Sequence, residues 1–234
     1  MAAAPAGDAM TLAQELKFAV GSQGNVSALL MRPQDARACY VLAHGAGAGM
    51  RHASLEAIAM GLGERGIATL RYQFPYVEKG SKRPDPPALA HATVRAAVAE
   101  AARVCAGLPL IAGGKSFGGR MTSQAQASAP LDGVKGLAFF GFPLHPAGKP
   151  SSERAKHLAG VKIPMLFLQG TRDALADLSL LKPVVKSLGH KATLHLAEGA
   201  DHSFHVPKSS GRNDREVLAE ILDTFAAWVG KTIR

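Results

Sequence analysis

The octapeptide Ala112-Gly113-Gly114-Lys115-Ser116-Phe117-Gly118-Gly119 carries two overlapping chemical signals. Gly-Lys-Ser ends the phosphate-binding pattern G-x-x-x-x-G-K-[ST], whose backbone N–H groups and lysine grip phosphate oxygens. Gly114-x-Ser116-x-Gly118 also has the G-x-S-x-G spacing of a nucleophile elbow, in which small neighbours allow a strained strand-to-helix turn that lifts the serine oxygen clear of the backbone. The phosphate loop needs a glycine five residues before Gly114, but that position is Pro109, and Leu110-Ile111-Ala112 reads as strand. No strand ends in an aspartate suited to magnesium, since Gly136 to Phe140 runs into Gly141. The elbow also accounts for Gly118, which the phosphate loop ignores. Ser116 is the candidate nucleophile.

A serine hydroxyl attacks a carbonyl only when a base takes its proton, and the base needs a carboxylate to fix its tautomer. Two later segments supply these groups: Gly170-Thr171-Arg172-Asp173 and Gly199-Ala200-Asp201-His202-Ser203-Phe204-His205. His202 is the candidate base and Asp173 the candidate carboxylate. His205 is a rival base, and Asp177 and Asp201 are rival carboxylates; Asp177 reads as a helix cap, whereas Asp201 adjoins the base in sequence. Attack creates an oxyanion, which the N–H of Phe117 and that of Ala46, in His44-Gly45-Ala46-Gly47-Ala48-Gly49, are suited to meet. His44 reads as an organiser of that loop and His145 as a structural or pocket-rim residue. Arg120, one helical turn past Ser116, suits a buried ion pair or a clamp on a substrate carboxylate. The aromatic run Tyr72, Phe74 and Tyr76 suits either packing or a pocket wall. No His, Cys, Asp and Glu cluster has zinc-ligand spacing, so neither metal nor cofactor is expected.

These groups must be held at the ends of strands. Leu12 to Val20 and Val26 to Arg32 read as strands joined by the turn Gly21 to Gly24, a connection short enough for an antiparallel hairpin. Six short apolar runs read as buried parallel strands: Ala38 to Ala43, Ile67 to Tyr72, Leu108 to Ala112, Gly136 to Phe140, Pro164 to Leu168 and Thr193 to Leu196. Helical patterns lie between them at Ser54 to Arg65, Pro87 to Ala106, Phe117 to Ser128, Ser151 to Leu158 and Asp177 to Leu188, and Asp214 to Val229 follows the last strand. The expectation is an α/β fold, an eight-stranded mostly parallel sheet with an antiparallel start and helices on both faces. Ligands of such sheets bind beyond the carboxyl ends of the strands, where the candidate residues fall. Residues 1–11 read as a flexible tail and 12–234 as a single domain.

Composition narrows the partners. The chain of 234 residues is 47% hydrophobic and 19% charged, which suits a globular fold. Its net charge of +9 is dispersed, with one modest cluster at Lys79, Lys82 and Arg83, so nucleic-acid binding is not expected. Two distant cysteines, Cys39 and Cys105, read as reduced thiols. With no secretory signal and no apolar stretch long enough to span a bilayer, a cytoplasmic location is expected.

The sequence resembles the serine hydrolases of the α/β-hydrolase superfamily. It is similar to dienelactone-hydrolase-like proteins, and especially to a compact bacterial branch related to an animal testis-expressed protein. The resemblance spans Val26 to Val229. It rests on His44-Gly45-Ala46-Gly47, Arg71-Tyr72-Gln73-Phe74-Pro75-Tyr76, Gly114-Lys115-Ser116-Phe117-Gly118-Gly119-Arg120, Gly141-Phe142-Pro143-Leu144-His145-Pro146, Gln169-Gly170-Thr171-Arg172-Asp173 and Asp201-His202-Ser203-Phe204. It implies an α/β-hydrolase fold. An animal relative is a subunit of a chromatin-modifying complex, so the resemblance also admits a catalytically idle interaction protein. The chemistry of the residues points to a small-molecule carboxylic ester or thioester, cleaved through an acyl-serine. Only Phe142 to Ile163 is available for a lid, which leaves room for little or none. A small acyl group is therefore expected, with Phe74, Tyr76, Phe142 and Leu144 as the candidate substrate-binding wall.

Overall fold

The computed structural model describes residues 13–234. The expected tail at residues 1–11 and the Leu12 start of the first expected strand lie outside the described residues. Eight strands form one sheet: β1 (Gln14–Ala19), β2 (Asn25–Met31), β3 (Ala38–Ala43), β4 (Ile67–Tyr72), β5 (Leu110–Lys115), β6 (Val134–Phe140), β7 (Met165–Gly170) and β8 (Ala192–Ala197). Their order is β1-β2-β4-β3-β5-β6-β7-β8. β1 and β2 form the expected antiparallel hairpin, Gln14 facing Leu30 and Ala19 facing Asn25. β2 pairs antiparallel with β4, and every pairing from β4 through β3 to β8 is parallel.

The central strands are mostly apolar because helices cover both faces of the sheet. Side chains alternate along a strand, so each strand feeds two cores. Cys39, Val41, Ala112, Leu137, Phe139 and Phe167 face one core, which α3 (Pro87–Val104), α4 (Phe117–Ser128) and α5 (Leu178–Ser187) close with Val94, Met121 and Leu181. Tyr40, Leu42, Ile111, Phe140 and Leu168 face the other, closed by Leu55, Ile58 and Leu62 of α1 (Ala53–Gly63) and by Ile221, Phe225 and Trp228 of α6 (Asp214–Thr232). Each Val, Leu, Ile, Phe or Met among them, fully buried, contributes about 1.5–3 kcal/mol. α6 starts at a capping box: Asn213 Oδ1 accepts from Glu216 N and Glu216 Oε2 accepts from Asn213 N, both at 3.0 Å.

Two expected elements differ. The helix expected over Ser151 to Leu158 is a 3₁₀ helix at Glu153–Gly160, and the expected loop Gln73 to Pro86 contains the short α2 (Pro75–Glu78), opened by Pro75, whose missing N–H costs nothing at a first helical position. As expected, little or no lid is built, since that 3₁₀ helix is the one regular element between β6 and β7. No described helix is long and apolar enough to cross a membrane. Cys39 and Cys105 are both buried free thiols.

The chain leaves β3 toward β4 on one side and returns to β5 on the other. Such a reversal opens a crevice beyond the carboxyl ends of the two neighbouring strands. The loops that follow β3 and β5 begin at His44 and Ser116.

Candidate active site

β5 runs three residues further than its apolar run, to Lys115, which makes Ser116 itself the corner. Ser116 adopts φ 51° and ψ −117°, a sparsely populated conformation that costs on the order of 1–3 kcal/mol. Surrounding bonds hold it there: Ser116 N donates to Phe140 O at 3.3 Å, and Arg120 N donates to Ser116 O at 3.1 Å. The neighbouring glycines are demanded by proximity. A Cβ on Gly114 would stand 2.3 Å from Ala43 O, and one on Gly118 would stand 2.6 Å from both Ala43 Cβ and His44 O. The elbow is thus pressed against the end of β3. A Cβ on Gly45 would lie 3.7 Å from Ser116 Cβ, so the segment preceding Ala46 runs beside the serine. Phe117 is the first residue of α4, where an N–H has no acceptor within the helix.

The loop after β3 is braced from the end of β4. Met50 N donates to Gln73 Oε1 at 2.8 Å, and Arg71 Nη1 donates to Met50 O at 3.2 Å. His44 Nδ1 donates to Gly45 O at 2.8 Å while its Nε2 accepts from Phe74 N at 3.2 Å. Both ring nitrogens are used by the backbone, and burial holds the imidazole down to about 4, so it is neutral. His44 organises the loop. Phe74 is fully buried, with its ring 5.0 Å from that of His44 and 5.4 Å from that of Phe117.

His202 and Asp173 meet: His202 Nδ1 lies 2.7 Å from Asp173 Oδ2, and the Asp173 side chain is fully buried. The same oxygen accepts from Gln169 Nε2, and Oδ1 accepts from Leu175 N at 2.8 Å. Gln169 is oriented in turn by Phe142 N, which donates to its Oε1 at 2.9 Å. An ionised carboxylate oxygen only accepts, so Nδ1 carries the imidazole proton and Nε2 is the basic nitrogen. Nε2 is buried and has no hydrogen-bond partner among the described residues. The ring lies against the end of β6, where a Cβ on Gly141 would stand 3.2 Å from His202 Cε1 and Nδ1.

The rival groups are engaged elsewhere. Asp201 Oδ1 accepts from Ser203 N and His205 N at 2.7 and 2.9 Å, closing a tight turn on either side of His202. His205 pairs with Asp214, Nδ1 to Oδ2 at 2.6 Å, at the start of α6; this hydrogen bond raises its pKa. Asp177 caps α5 by accepting from Ser179 N at 2.8 Å. His145 links the end of β6 to that cap, its Nδ1 donating to Pro146 O at 2.9 Å and its Nε2 accepting from Asp177 N at 2.9 Å.

The alpha/beta hydrolase domain family matches residues 36–230. The chain belongs to that family. Solved structures with the same fold include dienelactone hydrolase from Anabaena variabilis, at 19% identity and a TM-score of 0.75, covering 95% of this chain and 100% of that one. An esterase domain from Rhodothermus marinus aligns at 16% identity and 0.72, covering 95% and 99%. A serine hydrolase without lid from Xanthomonas campestris aligns at 20% and 0.71, covering 93% and 95%.

In this alpha/beta hydrolase a serine of α4 touches a histidine. Ser123 Oγ lies 2.8 Å from His157 Nε2 and 2.9 Å from Arg120 O. Ser123 sits inside α4 rather than at a corner, and no described hydrogen bond links His157 to a carboxylate. Burial, followed by Arg120 and His91, pushes the His157 pKa down to about 4. Among the described residues the expected ion pair of Arg120 is not formed: its Nε is buried without a partner there, and burial followed by Arg154 lowers its pKa. Phe74, Tyr76, Phe142 and Leu144 are all buried. Phe74 and Tyr76 stack with centroids 6.4 Å apart beside His44, whereas Phe142 packs on Phe139 at 5.4 Å and Phe167 at 5.7 Å beyond β6.

Two residues of the site had no role at the level of sequence. Gln169 and Lys115 stood inside recognised motifs, yet nothing local marks them as partners of Asp173 and of the His202 loop. Lys115 Nζ donates to His202 O at 2.8 Å. No group of three or more His, Cys, Asp and Glu side chains among the described residues is placed to hold a metal ion.

Proposed function

We propose that this alpha/beta hydrolase is a serine hydrolase that cleaves a carboxylic ester or thioester with a small acyl group. His202 Nε2 takes the Ser116 proton as Oγ attacks the carbonyl carbon, and Asp173 steadies the imidazolium through Nδ1. The N–H groups of Phe117 and Ala46 receive the oxyanion; one such donor is worth about 2.7–4 kcal/mol in a comparable site. The tetrahedral adduct collapses with proton transfer from His202 to the departing alkoxide or thiolate. Water, deprotonated by the same nitrogen, then releases the acid from the acyl-serine. No cofactor enters this scheme. Phe74, Tyr76, Phe142 and Leu144 form the packed wall beneath the substrate. The reading takes residues 12–234 as one catalytic domain, working in the cytoplasm on a small molecule.

The observation that carries the proposal is the pairing of His202 Nδ1 with the buried Asp173 carboxylate, 2.7 Å across, while His202 Nε2 has no partner among the described residues and the loop bearing it is tied to the residue before Ser116. The same free nitrogen is what a second reading would cite: His202 makes no hydrogen bond to Ser116, as in an idle hydrolase fold kept for protein binding. A fluorophosphonate probe separates the two. Stoichiometric phosphonylation, read by intact mass, mapped to Ser116 and lost in Ser116→Ala supports the enzyme; no adduct at Ser116 supports the idle fold.

A further inference from the structure

Lys115 is the last residue of β5, and it is a costly residue to find there. An ammonium prefers water, and largely burying it without compensation is strongly unfavourable. Its direct contacts come from one place. Nζ donates to His202 O at 2.8 Å and stands 5.3 Å from the centre of the Phe204 ring. Phe204 itself holds a left-handed backbone at φ 67°, part of the turn that Asp201 closes. No described backbone N–H donates to His202 O, so Lys115 is the partner of that carbonyl.

We infer that Lys115 is a positioning residue that, on the hydrolase reading above, holds the His202 loop in register with the nucleophile. Ser116 is its chain neighbour, so the tether transmits the position of the elbow directly to the backbone of the base. Asp173 fixes the ring from behind through Nδ1; Lys115 fixes the backbone carbonyl of the same residue. With both restraints the imidazole has little freedom to swing from the serine. The charged and titratable groups facing the ammonium are Asp173, Asp201, His202 and His205. The two carboxylates favour the cation, but burial outweighs them and brings its pKa down to about 8. Above that pH a neutral amine replaces a charge-assisted donor, and the tether weakens.

The test is Lys115→Met in the full chain, with the rate of Ser116 labelling by the fluorophosphonate followed by intact mass and amide exchange followed over residues 199–206. Loss of the tether should slow labelling by about 100-fold, the cost of a misplaced reacting group. Exchange in that segment should rise, and turnover of p-nitrophenyl acetate should lose kcat with little change in KM. Lys115→Arg, which keeps a charged donor, should restore most of the rate. Labelling within threefold of the unmodified chain together with unchanged exchange would overturn the inference. If the variants do not fold, the unmodified chain decides: its labelling rate should fall as pH rises through about 8, and a flat rate from pH 7 to 10 would overturn the tether. Failure of the unmodified chain to label at all would instead defeat the Ser116 reading, while the exchange comparison would still judge Lys115.

Discussion

Replacing Asp173 with asparagine tests the site through its hydrogen-bond count. Three donors converge on this buried carboxylate: Leu175 N on Oδ1, and Gln169 Nε2 and His202 Nδ1 on Oδ2. An amide offers one oxygen and one NH₂ group. With its oxygen toward His202 and Gln169, its NH₂ faces the Leu175 N–H and two donors confront each other. With its NH₂ turned inward, His202 Nδ1 must become the acceptor, which puts the proton on Nε2, where it blocks uptake from Ser116. Gln169 cannot relieve the clash by flipping, because its oxygen already receives the Phe142 N–H. A buried unmatched donor costs about 1–3 kcal/mol of stability. The wrong imidazole tautomer costs about 10⁴-fold in kcat in a comparable triad, equivalent to about 5 kcal/mol of transition-state stabilisation. The assay is kcat/KM on p-nitrophenyl acetate at pH 7.5 beside a urea unfolding curve. Asp173→Asn that keeps its urea midpoint and turns over within tenfold of the unmodified chain would refute the argument.

Ser123→Ala should leave ester turnover within about twofold, because a helical serine beside a neutral His157 lacks a carboxylate-oriented base; a tenfold loss with the fold intact would move the nucleophile to α4. Gly118→Ala should lower stability by about 1–3 kcal/mol, since its Cβ would meet Ala43 Cβ and His44 O at 2.6 Å, and an unchanged urea midpoint contradicts that packing. His44 titrates at about 4 when folded and near 6.5 when unfolded, so the unfolded chain takes up the proton first as pH falls. Its contribution is complete above about 6.5 and is lost on the way down to 4, on the order of 3 kcal/mol in all. The stability slope between pH 7 and 5 should therefore flatten in His44→Asn, and an unaltered slope speaks against a buried neutral ring. Across p-nitrophenyl esters from acetyl to palmitoyl, kept below aggregation, kcat/KM should peak among the short acyl groups. A steady rise to the longest would show an apolar tunnel, in which each buried CH₂ contributes about 0.8 kcal/mol.

The sheet and its helices were legible in the chain because their signals are local. The runs Ala38 to Ala43 and Ile67 to Tyr72 coincide with β3 and β4, and Phe117 to Ser128 coincides with α4. These segments are apolar on both faces or helical over one continuous stretch, and neighbouring residues alone settle that. The elbow was legible too, since its two flanking glycines answer a steric need at fixed spacing. The helical pattern over Ser151 to Leu158 forms two residues later, as a 3₁₀ helix at Glu153–Gly160, because a short helical pattern does not distinguish the two hydrogen-bond spacings. Chain order favours Asp173 over Asp177 and Asp201, but three carboxylates of the same chemistry do not reveal in the chain which one meets the base. Only the parallel pairing of β7 with β8 brings the loops after those strands side by side, setting Asp173 against a histidine 29 residues on. Arg120 suggested an ion pair, and its Nε has no partner among the described residues. Lys115 reaches a carbonyl 87 residues away. Such contacts depend on strand order and loop closure, which join distant residues, while periodicity and propensity speak only for neighbours.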